Sequence, residues 1–194
     1  MKRGKRKKAY IALLLAAIMI LSVFGIVLSN QSPLNDAGKL EYNDITFRLI
    51  NNQWTAEIKG KERSFFFSPI DLSEKTLPSE LRQAIVQTPT MTITFDPNIS
   101  QLHYLDAARF ELSEVLLLDF GKNIRHGVTN ATGAYEFPVV SCQPSAEELF
   151  ITFIEANVSS AQMDGNCVTI AAVTPVEYIQ YSEKLIYLLL EVIP

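Results

Sequence analysis

The chain has 194 residues, 48% of them apolar and 20% charged, with 9 Pro, 8 Gly and 2 Cys. That composition excludes a disordered chain, a collagen-like repeat and a disulfide-dense mini-protein. The net charge of −4 conceals two unlike parts. Lys2, Arg3, Lys5, Arg6, Lys7 and Lys8 take six of the 17 basic residues, leaving 11 against 21 acidic ones, about −10 for the remainder. An acidic body whose basic cluster abuts a hydrophobic run argues against nucleic acid as a partner, because phosphate neutralisation needs a basic face.

Ala9 to Leu28 is an uncharged run rich in Ile, Leu, Ala and Val. As a helix it would span roughly 30 Å, the thickness of a bilayer core. Basic residues before it and none just after it predict a cytoplasmic N-terminus and an extracytoplasmic body. The expected organisation is a basic segment over 1–8, a transmembrane signal anchor over 9–29, a linker over 30–40 and a globular domain over 41–194, with the lipid bilayer as partner of residues 9–29. Two alternatives stay open: a signal peptide cut near Ser29, so that the body is released, and a pilin-like leader cut near Ala9.

In an exported body the two cysteines, Cys142 and Cys167, pair as a structural disulfide. Their separation does not make a C-x-x-C redox motif, and with only His103 and His126 as further soft ligands no metal site is expected. Four N-glycosylation sequons begin at Asn30, Asn98, Asn130 and Asn157, the first next to Pro33.

Ile45, Phe47 and Leu49 alternate with polar residues, Asn51-Asn52 turns the chain, and Trp54, Ala56 and Ile58 alternate again. Gly60-Lys61 then leads into a strand ending at Phe65-Phe66-Phe67, completing a three-stranded antiparallel meander. Helical spacing follows from about Pro78 to Gln87. Thr92 to Phe95 reads as a strand, and Ser100 as the cap of a helix in which Leu102, Leu105, Ala108, Leu112 and Leu116 share a face, closed near Gly121. Ile124 to Thr129 completes a candidate βαβ unit.

Gly133 to Ser145 reads as loop around a possible strand at 137–142. Leu149 to Glu155 and Cys167 to Val173 are strands, with a turn at Met163-Asp164-Gly165-Asn166. Thr174, Pro175 and Glu177 form a capping box opening a buried helix that runs to about Val192. The expected fold is α+β or α/β, a mixed sheet domain with an antiparallel meander and about three packed helices.

The order of strands and helices after the meander is similar to thioredoxin-like folds, without the cysteine pair from which a redox role would follow. The basic start, single anchor and small acidic body with two cysteines resemble signal-anchored exported proteins of archaea. That resemblance covers the layout and implies no catalytic residue.

No nucleophile elbow, zinc-protease motif, Walker loop or dinucleotide fingerprint occurs, and no cofactor is expected. The sharpest catalytic candidates are Asp96, at the end of a strand where α/β enzymes place reactive groups, and His103, near the start of the next helix, as an acid–base pair. His126 is a further candidate near the same edge. The ordinary readings, turn chemistry for Asp96-Pro97-Asn98 and surface positions for both histidines, are preferred. Asp106, Arg109, Glu111 and Glu114 read as helix-surface charge pairs. Glu147-Glu148 lacks the ligand count that calcium needs. The expected function is a binding or interaction module of the cell envelope, with an extracytoplasmic hydrolase or thiol-dependent enzyme, or a pilin-like subunit, as alternatives.

Overall fold

Short alternating runs joined by two-residue turns build the first sheet. Asn43-Asp44, Asn51-Asn52 and Lys59-Gly60 all adopt positive φ, the backbone that tight hairpins demand and that Asn, Asp and Gly tolerate best. In the computed structural model, which describes residues 38–131, 135–143 and 147–194, these turns join β1 (Lys39–Tyr42), β2 (Ile45–Ile50), β3 (Gln53–Ile58) and β4 (Lys61–Phe65) into a four-stranded antiparallel meander. The meander has one strand more than its alternation suggests. Lys39 and Leu40, read as linker, begin β1, and β4 stops at Phe65 instead of continuing to Phe67. The expected transmembrane segment, its topology and the sequon at Asn30 lie outside the described residues. Among those residues no helix is long and apolar enough to cross a membrane.

After the meander come α1 (Leu81–Gln87), β5 (Thr90–Phe95), α2 (Leu102–Leu118), β6 (Asn123–Val128), β7 (Glu148–Glu155), β8 (Ser160–Asp164), β9 (Cys167–Ala172) and α3 (Pro175–Leu189). The second sheet has the order β6-β5-β7-β9-β8, with β6, β5, β7 and β9 parallel and β8 antiparallel at one edge. The β5–α2–β6 unit is thus a true βαβ connection. The protein combines an antiparallel sheet with a mixed one and, among the described residues, three α-helices.

α3 lies between the two sheets. Tyr178 packs edge-on against Phe153 of β7 at 6.0 Å, while Tyr187 meets Phe65 of β4 at 4.3 Å and Phe47 of β2 at 5.9 Å. A helix covered on two sides must be apolar almost all round, which is why Ile179, Leu185, Ile186 and Leu189 are all buried. Its capping box forms as expected, Thr174 receiving a backbone N–H and Glu177 reaching back to the Thr174 N–H.

Three local expectations need correction. α1 begins at Leu81, three residues after Pro78, whose carbonyl accepts the Leu81 N–H. Ser100 does not cap α2; the N-cap is Gln101 at φ 54, and the Ser100 N–H and hydroxyl both turn to Glu155 on β7. A tertiary carboxylate outcompetes the local helix end for that hydroxyl. The 137–142 segment forms no strand; one bridge, Val128 to Val139, is all it makes.

That segment instead belts the end of β6. Tyr135 and Phe137 pack on Phe95, on the helix-facing side. Pro138 and Val140 bond the Val128 backbone at the edge, and Cys142 is joined to Cys167, whose strand partner Phe150 lies in register with Thr92. The belt needs Gly127, where a Cβ would stand 3.0 Å from Val140 Cγ2 and 3.2 Å from the Pro138 oxygen.

Candidate functional site

β5, β6 and β7 end side by side, and the residues just past them form the carboxyl edge of the sheet, where α/β folds most often place ligands. Asp96 stands there, but its side chain is turned inward on its own loop: Oδ1 accepts the Asn98 N–H at 2.9 Å and the Asn98 side-chain amide at 3.0 Å. His103, two positions into the following turn, is exposed and lies against Tyr104, ring centroids 4.4 Å apart. The structure therefore does not bring Asp96 and His103 together.

His126 sits in a different cluster, facing α2. Arg109 donates to its Nδ1 at 3.2 Å. A guanidinium can only donate, so this nitrogen is the acceptor and the proton of the neutral ring sits on Nε2. Burial, and secondarily the Arg109 charge, push the His126 pKa below its ordinary value. Arg109 itself is 7% exposed. It donates to Asp106 at 2.6 Å, and its guanidinium carbon lies 4.3 Å from the Phe95 ring centre and 5.4 Å from that of Phe137. Tyr135 donates to the other Asp106 oxygen at 2.9 Å. Arg109 is thus a clamp that holds the belt to α2 and β6, not the surface charge its sequence neighbours suggest. Its spacing from Leu105 and Leu112, on the buried face of α2, was the available signal.

A second cluster went unrecognised in the sequence. Glu183 is 0% exposed, and its two oxygens accept the Phe66 and Phe67 N–H groups at 2.6 and 2.9 Å. Burial, then the nearby Glu111 charge, raise its pKa to about 8 despite those two hydrogen bonds. Burial, then Glu114, raise Glu111 to about 7. Glu111 lines a cleft of about 320 Å³ with Lys61, Arg63 and Asp119. Both basic groups there are taken by Asp119, at 2.6 and 2.5 Å. Glu111 has no ion pair among the described residues. Glu183 follows Ile179 and precedes Tyr187 at four-residue spacing, which places it on a buried line of α3.

The outer side of α2 is apolar as well. Phe110, Leu117 and Leu118 are 73%, 54% and 64% exposed, and with Ser113, Glu114, Ile124 and His126 they line a groove of about 380 Å³ along β6. β6 is an edge strand. Asn123 and Thr129 bond toward β5 while Val128 bonds outward to the belt, so the backbone groups of Ile124 and His126 also face outward, and among the described residues no strand lies beside them. Among the described residues no cluster of His, Cys, Asp and Glu is arranged to hold a metal.

The three sequon asparagines, Asn98, Asn130 and Asn157, are exposed. Cys142 and Cys167 form the disulfide expected of them, with Cα atoms 5.8 Å apart. No protein-family model matches the chain, and neither the curated proteins nor the solved structures contain a match to it.

Proposed function

We propose that the chain is a membrane-tethered binding module whose extracytoplasmic body captures a protein partner along the groove between α2 and β6. The exposed line of Phe110, Leu117 and Leu118 beside an open strand edge carries this reading. Contiguous exposed apolar surface marks interaction sites, and an open edge accepts an extended strand through main-chain hydrogen bonds. The occupant is a partner segment in extended conformation with apolar side chains at alternate positions. The chain itself supplies the precedent: its 138–140 segment already bonds the Val128 end of the same edge, and the partner strand continues that pairing past His126 and Ile124. The disulfide supports a body outside the reducing cytosol, and the apolar run over 9–29 supports a tether that raises local concentration.

The test uses the full-length protein in its native membranes, with a photo-crosslinking side chain at Leu117 and hydrogen exchange read at Ile124 and His126. Crosslinking to a different polypeptide, with exchange slowed relative to the detergent-purified protein, is the expected result. Crosslinking to another copy would replace the partner by a dimer, and crosslinks to lipid with unslowed exchange would overturn the groove as a docking site.

A further inference from the structure

We infer that the carboxyl edge of the five-stranded sheet is a glycan-bearing face, with Asn98, Asn130 and Asn157 as neighbouring N-linked attachment sites. The inference rests on the body being exported.

Topology carries it. Asn98 follows the end of β5 by three residues, Asn130 follows β6 by two and Asn157 follows β7 by two. β6 and β7 flank β5 in parallel, with Phe95 in register with both Val128 and Phe153 and β7 running two residues further to Glu155, so adjacent strands stand about 5 Å apart at this edge. Three sequons distant in sequence thus converge on one edge. The other asparagines of the body are placed elsewhere and none begins a sequon. Asn43, Asn51 and Asn52 lie in meander turns, and Asn123 and Asn166 lie at the opposite, amino end of the strands.

The chemistry at Asn98 is compatible with its turn. In the transfer, Asn98 Nδ2 attacks C1 of a saccharide carried on a polyprenyl phosphate. The N–C1 bond forms, the C1–O bond breaks, the lipid phosphate leaves with that electron pair, and the amide gives one proton to a base. One N–H remains on Nδ2, enough to keep the 3.0 Å bond to Asp96. In the folded chain the hydroxyls of two of the sequons are engaged, Ser100 with Glu155 and Ser159 with Glu177, so transfer at Asn98 and Asn157 precedes docking of these loops.

The experiment is peptide-resolved mass spectrometry of the native protein from membranes, with the thiol state read on the same sample. Saccharide mass on all three asparagines is expected. Asn130→Gln and Asn157→Gln should each remove one increment, and at the first site Asn98→Gln and Ser100→Ala should do so alike, the latter leaving Asn98 in its turn. Any of the three sites bare in every molecule while Cys142 and Cys167 are joined would overturn the glycan face and leave the export reading standing. Bare sites with free thiols would overturn both.

Discussion

Glu183, on α3, holds its proton tightly because it is buried and because the carboxylate of Glu111, on α2, faces it across the seam where the two helices pack. Both groups hold protons more tightly in the folded chain than in the unfolded one. Their contribution to stability is therefore complete below about pH 4.5 and is lost as pH rises through about 7 and 8. Glu111→Gln keeps the shape without the charge. It should raise stability at pH 9 by about 1–2 kcal/mol and leave it nearly unchanged at pH 4. Urea unfolding at the two pH values reads the difference, and equal shifts at both would refute the assignment.

Glu177 sets the acid side. Burial pushes its pKa up, but Lys75, Ser159 and the backbone N–H groups of Thr174 and Val173 together hold it down at about 2. Its contribution is present above the ordinary glutamate range and disappears as pH falls toward 2. With Glu111 and Glu183 acting in the opposite direction, thermal stability should peak near pH 5. Glu177→Gln should flatten the acid limb and cost about 1–2 kcal/mol at pH 6, where Lys75 and the cap lose their partner. A melting-temperature profile across pH checks both limbs.

Arg109 should be more sensitive than a surface arginine. Arg109→Ala removes a buried guanidinium from the Phe95 and Phe137 rings and from its bonds to Asp106 and His126, and should cost about 1–3 kcal/mol. The belt should loosen first, so limited proteolysis ought to cut within 129–147 before the rest of the body. Uniform resistance in this variant would count against the clamp.

Reduction of Cys142–Cys167 should lower stability by about 3.5 kcal/mol on the chain-entropy estimate for a loop closed over a sequence separation of 25. Unfolding of the Cys142→Ser, Cys167→Ser double variant against wild type measures it, and matching midpoints would show the bond to be dispensable.

Gly127→Ala should displace the 138–140 segment, because the added methyl meets Val140 at 3.0 Å and the Pro138 carbonyl at 3.2 Å. A loss of about 1–3 kcal/mol is expected, together with faster exchange of the Val128 and Val140 amides. Retained protection at both amides would show that the belt accommodates the methyl.

Local chemistry was legible wherever one residue decides its own conformation. Asn51-Asn52 and Gly60 mark their turns, and Thr174, Pro175 and Glu177 start α3, because these signals need only the chain within four residues of themselves. The two cysteines had only each other to pair with. Period-two alternation exposed the meander strands and period-four spacing the buried face of α2, since both follow from backbone geometry alone.

Distant partners decided the rest. Glu111, Glu183 and Arg109 are ordinary helix residues by type, and tertiary packing buried Glu183 and Arg109 and left Glu111 half-buried in a cleft beside β4. Ser100 left its helix for Glu155, and 137–142 gave up a strand to wrap an edge, through contacts made across long sequence separations. The sequons at Asn98, Asn130 and Asn157 could be read as words, but their gathering at one edge exists only in the parallel order β6-β5-β7. Sequence by itself determined most of the strands and helices, the Asn51-Asn52 and Gly60 turns, the α3 capping box and the pairing of the cysteines, while β1 and β8 escaped it. Strand order, and with it which charges are buried and which surfaces stand open, was decided by tertiary packing, because burial is a property of what covers a residue.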